Sequence, residues 1–198
     1  MCIRDSGDSV DVVTPSGSYT GLRPLPGRHQ HDNLLVAVRL LEAAAASGIT
    51  VDFGALPQAT RGTRWPGRLQ SLPGQPPLLL DGAHNPAGAR ALAAHLRTLG
   101  PFVLLFGAME DKDVRELARP VFPLADAVVL TRAHIDRAAA PRLLARRTAG
   151  LARAVHVQPA LRRALTLAMR LAGPRKTVVV AGSLYLVGDV LRLAQKRR

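Results

Sequence analysis

"LLLDGAHNPAGARALAAHL", residues 78–96, decides how the rest of the chain is read. Leu78–Leu80 is a short aliphatic run that ends on Asp81, and Gly82 breaks it. Asn85 is a residue type that caps a helix, and Pro86 suits a helix's first turn. Leu92, Leu96 and Leu99 then fall on one helical stripe. The stretch therefore predicts a buried strand, a tight turn and a helix. Such a junction needs a turn residue and a cap. It needs neither the carboxylate of Asp81 nor the imidazole of His84, and these two point to chemistry.

The same pattern repeats downstream. Gly100-Pro101 ends the helix, FVLLF (102–106) predicts a strand, Gly107 turns, and Val114–Ala118 begins a short helix. DAVVL (126–130), AVHV (154–157) and TVVVA (177–181) are further strands. Helices over Pro141–Ala149, Ala160–Leu171 and Leu186–Gln195 alternate with them, the last after the turn Gly182-Ser183. The strands are continuous aliphatic runs, as in strands covered on both faces, so the fold class is α/β with a mostly parallel sheet and helices on both sides. Upstream, residues 30–47 predict a helix with Leu34, Ala37, Leu40, Leu41 and Ala44 on one face, stopped by Gly48. Prolines and glycines mark a linker or domain boundary near residues 56–63. Residues 1–25 read as strand and loop around the alternating SVDVV.

Composition sets the bounds. A chain of 198 residues allows one medium domain, or one domain and a piece of another. At 47% hydrophobic and 4% aromatic residues the core is aliphatic. A lone Cys2 excludes an internal disulfide framework. No apolar run approaches a membrane span, and MCIRDSGDSV lacks the apolar centre of a signal peptide, so a cytoplasmic protein with no membrane partner is expected. The net charge is +13, with Lys112, Lys176 and Lys196 the only lysines. The arginines are spread through helices without interleaved aromatics and without a nucleic-acid motif. They read as solvated helix faces, and no specific nucleic-acid partner is expected.

In open α/β sheets ligands gather beyond the carboxyl ends of the strands. Here those ends carry Asp81 and His84, then Glu110, Asp111, Lys112 and Asp113, then Thr131, Arg132 and His134, and last Gly182 and Ser183. A carboxylate suits ribose hydroxyls, a lysine suits a carboxylate or phosphate, and a serine at a helix start suits an anion. Singly, each has a plainer reading: Asp81 as a turn acceptor, the acids of DKD as a helix start, Ser183 as a cap. GxGxxG, GxxxxGK[ST] and GxSxG are all missing, and the histidines show no metal-ligand spacing. Residue types alone give a ligand-binding α/β domain.

Several segments resemble one family in the same order. LLLDGAHNPAGARAL resembles the DGAHNP signature of folylpolyglutamate synthase/dihydrofolate synthase, in the Mur ligase superfamily. LPGRHQHDNLLVAVRLLE (25–42) resembles its GRHQ-x-x-N segment, RWPGRLQ (64–70) its WPGR element, and FGAMEDKDV (106–114) its GAM-x-DKD loop. RAAAP (137–141) is a weaker match, and AGSLYLVGDV (181–190) resembles a segment near the family's C-terminus. The resemblance implies a Rossmann-like Mur ligase C-terminal domain over residues 59–198, with residues 1–58 the tail of the central ATPase domain.

The implied activity is ATP-dependent amide ligation. ATP activates a carboxylate as an acyl phosphate, and the amine of L-glutamate attacks it; the acceptor is dihydropteroate or a folate. The resemblance assigns Asn33 to adenine, Arg68 to the nucleotide phosphates, Asp81 to the ribose and His84 to the reacting phosphates. It assigns Asp111, Lys112 and Ser183 to the incoming glutamate, with His84 and Lys112 the catalytic candidates. Mg²⁺ would accompany ATP, its ligands expected in an N-terminal region that this sequence lacks, so no metal ligand is expected here. The chain is thus expected to be a C-terminal fragment, inactive alone, of a parent that acts as a monomer. MCIRDS matches no family segment. A muramyl-peptide ligase fragment, a non-catalytic nucleotide-binding domain and a basic nucleic-acid-binding domain are the alternatives.

Overall fold

A computed structural model of the chain describes residues 2–5 and 9–195. Of the MCIRDS stretch, Met1 and Ser6 lie outside the described residues, as does Lys196. The chain divides into two compact units, Met1–Trp65 and Pro66–Arg198.

In the first unit β1 (Cys2–Asp5), β2 (Val10–Thr14) and β3 (Gly17–Leu22) form an antiparallel sheet in that order. Val10 and Val12 of β2 are buried beside Leu22 and Val38. The helix expected over 30–47 is α1 (His29–Ala46). Its inward face differs from the predicted one: Leu34, Leu35, Val38 and Leu41 meet the sheet, while Leu40 is 66% exposed. The physical reason is Glu42, which is buried. Its carboxylate accepts hydrogen bonds from Thr14 Oγ1, from the Tyr19 hydroxyl at 2.7 Å and from Arg39. Satisfying that acid fixes the roll of the helix. Burial alone would push the Glu42 carboxyl up, but the bonds from Thr14, Tyr19 and Arg39 outweigh it and hold it below the usual range.

The stretch near 56–63 that reads as a linker is α2 (Leu56–Gly62), entered through a 3₁₀ turn at Phe53–Ala55. Pro57 stands in its first turn, where a missing N–H costs nothing. The expected boundary at 58/59 falls inside this helix, and the two units meet at Trp65 and Pro66.

The second unit is Rossmann-like. Its elements are β4 (Gln70–Leu72), β5 (Leu78–Leu80), α3 (Pro86–Leu96), β6 (Phe102–Phe106), α4 (Val114–Ala118), β7 (Ala127–Leu130), α5 (Pro141–Arg147), β8 (Val155–Val157), α6 (Leu161–Ala172), β9 (Thr177–Ala181) and α7 (Leu184–Gln195). The sheet order is β4-β5-β9-β6-β7-β8. Only β4 runs antiparallel, to β5. Alternate residues of β5, β6, β7 and β9 feed two cores. Leu79, Leu104, Val128 and Val179 pack with α3, α4 and α5; Leu80, Leu105, Val129 and Val180 pack with α6 and α7. Double coverage is why these strands are aliphatic throughout rather than alternating.

Glycines close the carboxyl rim of this sheet. A Cβ on Gly82 would lie 2.2 Å from Leu184 Cδ2, and one on Gly107 would lie 2.8 Å from the Thr131 carbonyl. Gly182 has φ +102°, and its Cβ would lie 2.6 Å from the Gly107 carbonyl. By contrast, nothing lies within 4 Å of a Cβ on Gly188, inside α7.

Two predictions follow from this packing. In urea unfolding, Gly107→Ala costs about 1–3 kcal/mol by overpacking against the Thr131 backbone, whereas Gly188→Ala gains roughly 0.5–1 kcal/mol. For the first unit, the sign at Glu42 follows from a depressed folded-state value. Its contribution is present above the ordinary glutamate range and lost as pH falls through the lower, folded value. Glu42→Gln therefore flattens the acid limb of a stability profile measured from neutral pH to about pH 3.

Candidate functional site

At the carboxyl ends of β5 and β9 the chain departs to opposite faces, into α3 with one core and into α7 with the other. Neighbouring strands whose connections part in this way leave a crevice between them, the usual ligand position in such sheets. Backbone groups line it in sequence. Gly82 N donates to the Gly67 carbonyl (2.6 Å), Gly182 N to Ala83 (3.1 Å), Gly107 N to Ala181 (3.3 Å) and Thr131 N to Phe106 (2.9 Å).

Asp81 is buried at 5% exposure. Its Oδ1 accepts from Ala83 N (2.9 Å) and its Oδ2 from Leu69 N (3.0 Å). The carboxylate thus ties the WPGR loop to the DGAHNP turn. Leu69 has φ +44°, unusual for a residue with a side chain and costing about 1 kcal/mol or more. The bond to Asp81 holds it there. On the other side of the loop, Gly67 N donates to Gln70 Oε1 (3.0 Å). Arg68 sits between these two anchors, half-buried, with no hydrogen-bond or ion-pair partner among the described residues.

His84 Nδ1 is 2.8 Å from the Gly82 carbonyl. A carbonyl only accepts, so Nδ1 carries a proton, and a neutral ring keeps its lone pair on Nε2. Asn85 caps α3 as the sequence predicts, its side chain accepting from Gly88 N at 2.7 Å. Ser183 is buried, and its Oγ accepts from Tyr185 N (3.1 Å) in the first turn of α7.

The loop after β6 brings Asp111 and Lys112 to the same rim. Lys112 Nζ is 3.5 Å from Asp111 Oδ2, and Arg137 Nη2 is 3.2 Å from that oxygen. Partial burial pushes the Asp111 carboxyl up. A bond from its own backbone amide and the charges of Lys112 and Arg137 overcome that and hold it low. The loop is braced from below by Glu110 N donating to Arg137 O (3.0 Å) and Ala139 N to Ala108 O (2.9 Å).

Asp81, His84, Arg68, Asp111, Lys112 and Ser183 thus stand on one rim of the second unit. Asn33 belongs to the first unit, exposed on α1, with Nδ2 donating to Gln30 Oε1 at 2.8 Å. Among the described residues no three His, Cys, Asp or Glu side chains gather as an ion site. No described helix is long and apolar enough to cross a membrane.

Residue patterns missed Asp189. Buried on α7, it accepts from His134 N at 2.8 Å and pairs with Arg192. It pins the segment after β7 that braces the Lys112 loop. The available signal was the single acid of a mainly apolar helix.

The family model described as Mur ligase, glutamate ligase domain, matches residues 67–184, the greater part of the second unit. The chain belongs to this Mur ligase glutamate ligase domain family. It is 33% identical to the dihydrofolate synthase/folylpolyglutamate synthase of Mycobacterium tuberculosis, over 69% of this chain and 29% of the relative. It is 29% identical to the dihydrofolate synthetase of Saccharomyces cerevisiae, over 98% of this chain and 51% of the relative. The solved M. tuberculosis folylpolyglutamate synthase complexed with ADP and AMPPCP superposes with a TM-score of 0.82 at 28% identity, over 98% of this chain and 47% of that one. The chain therefore spans about half or less of the length of these relatives.

Asp81→Ala strands two amides in the rim and costs roughly 2–4 kcal/mol in urea unfolding. Asp81→Asn keeps one acceptor and costs less. Equal stability of Asp81→Ala and wild type would contradict the anchoring role.

Proposed function

We propose that this polypeptide is the glutamate-ligase portion of an ATP-dependent ligase that adds L-glutamate to dihydropteroate or a folate. The second unit, Pro66–Arg198, acts as the ligase domain, and the first unit, Met1–Trp65, belongs with the central ATPase domain, in place of the expected division at 58/59. The carrying observation is that the DGAHNP turn and the GAM-x-DKD loop meet at one sheet rim where the connections part. The relatives' names and the ADP-bound solved relative support the reading.

The rim fits a nucleotide. Its glycines keep the backbone open to close approach, and Arg68, without a partner among the described residues, offers its guanidinium to phosphates. When bound, ATP supplies the phosphoryl group that activates the acceptor carboxylate. The residues of this chain do the positioning. Asp81 fixes the loop that carries Arg68, and its oxygens retain lone pairs for ribose hydroxyls. His84, locked through Nδ1, presents Nε2 to the reacting groups. Lys112 is positioned for the carboxylate of the incoming glutamate, with Asp111 and Arg137 setting its place. The buried Ser183 anchors the start of α7 beside them. Asn33 is assigned to adenine. Asp111 is engaged by Lys112 and Arg137, whereas the Mg²⁺ that accompanies ATP needs carboxylates not held by such cations. We assign the metal to other parts of the parent enzyme, which we take to be a cytoplasmic monomer.

The 198-residue polypeptide has no GxxxxGK[ST] sequence. Purified alone, it is expected to show no ATP-dependent glutamate ligation. Joined in frame behind the N-terminal portion of the M. tuberculosis relative, it is expected to support ligation. In that fusion Lys112→Ala raises the KM for glutamate by about tenfold or more. Turnover by the isolated chain, or an inert fusion that is folded and binds ATP, would overturn the reading.

A further inference from the structure

Between Arg137 and Gly188 the chain carries nine arginines and Lys176 but no Asp or Glu. Most of the excess charge of the protein is therefore concentrated in this stretch of the second unit. Three of its cations are engaged locally: Lys176 pairs with Asp126 at 2.7 Å, Arg137 with Asp111, and Arg147 donates to the Glu110 carbonyl at 3.2 Å. Those of α6 are not. Arg162, Arg163 and Arg170 are exposed and have no carboxylate partner among the described residues. With Gln158, Thr166 and Leu167 they line an open groove of about 360 Å³.

The groove has a direction. Gln158 follows the carboxyl end of β8, so one end of the groove lies on the rim that carries Lys112. β8 is two strands from β6, which leads to Lys112, a lateral distance of about 10 Å. Arg162, Thr166 and Arg170 recur every fourth residue and form one stripe running about 12 Å down the helix. Unpaired guanidiniums in a row suit a chain of carboxylates, each able to take a two-pronged bond.

We propose that this α6 groove binds the oligo-γ-glutamyl tail of the acceptor. The inference rests on the ligase reading above. Each round of glutamate addition leaves a product with one more carboxylate, and that product is the acceptor of the next round. A cationic track leaving the rim would hold such a tail more tightly as it lengthens. A nucleic acid is the other polyanion to weigh. The stretch from Arg137 to Leu184 contains no Phe, Tyr or Trp, so the groove lacks a platform for stacking bases.

The test is calorimetric titration of the purified 198-residue chain with tetra-γ-L-glutamate, L-glutamate and a single-stranded DNA oligonucleotide, at low and physiological salt. The tetrapeptide should bind at least about tenfold more tightly than glutamate, and binding should weaken with salt. Arg162→Gln/Arg170→Gln should lose about tenfold or more for the tetrapeptide with an unchanged thermal midpoint. Arg162→Lys/Arg170→Lys should retain most of the affinity. Unchanged tetrapeptide binding in the glutamine variant overturns the proposal. So does DNA binding that is tighter than tetrapeptide binding and depends on the same arginines. The ATPase-domain fusion separates the two readings. Ligation there with no groove-dependent tail binding removes the groove alone. Groove-dependent binding with no ligation removes the ligase assignment, and with it the tail's role as acceptor.

Discussion

The second unit depends on a close approach of backbones at the carboxyl rim of its sheet. β5, β9 and β6 end side by side, and their hydrogen-bonded ladder continues past the strands through Gly67, Gly82, Gly182 and Gly107. No Cβ fits at Gly82, Gly107 or Gly182. This spacing lets α7 begin directly over the turn after β5, with Leu184 against Gly82. It also brings Asp81, His84 and Ser183, which belong to different strand ends, onto one rim. Side chains at the glycine positions would force the strands apart and fill the crevice at once.

Asp81 is the polar counterpart of that constraint. A buried carboxylate is costly unless its oxygens are satisfied. Here two backbone amides satisfy it, one in its own turn and one at Leu69 in the preceding loop. The same bonds hold Leu69 in a left-handed conformation and thereby place Arg68. A single acid thus links fold and rim, because the loop that carries Arg68 is held by the turn that begins the sheet's first crossover.

Charge is distributed with a comparable division of labour. The rim after β6 pairs its acid, Asp111, with Lys112 and Arg137, so its cations are positioned but partly neutralised. The outer face of α6 has cations and no acids, so its field is unopposed. Arginines that look evenly scattered along the chain therefore differ in what they can do, according to whether a carboxylate lies beside them in space.

The β-α alternation of the second unit was legible because β5, β6, β7 and β9 are buried on both faces and the long helices carry an apolar stripe. FVLLF and TVVVA became strands with the expected ends, and Asn85 with Pro86 opened α3 as capping chemistry requires. Short-range signals failed where the deciding partner was distant in sequence. The roll of α1 was set by Glu42 meeting Thr14 and Tyr19, and Leu40 was left outside. Pro57 read as a breaker yet opens a helix, since proline ends one helix and begins another with the same ring. β3 is interrupted by Gly17 and Gly21 and has no aliphatic run, β4 has only three residues, and pairing with β2 and β5 defines them. At the rim, residue types marked Asp81, His84, Lys112 and Ser183, but not Asp189, whose partner His134 comes from another crossover. The sequence by itself determined the α/β class and the order of elements from β5 onward, because local periodicity and capping are encoded within a turn or two. The tertiary structure alone decided which oxygens and guanidiniums are already committed, because those partners come from strands adjacent in space and far apart in the chain.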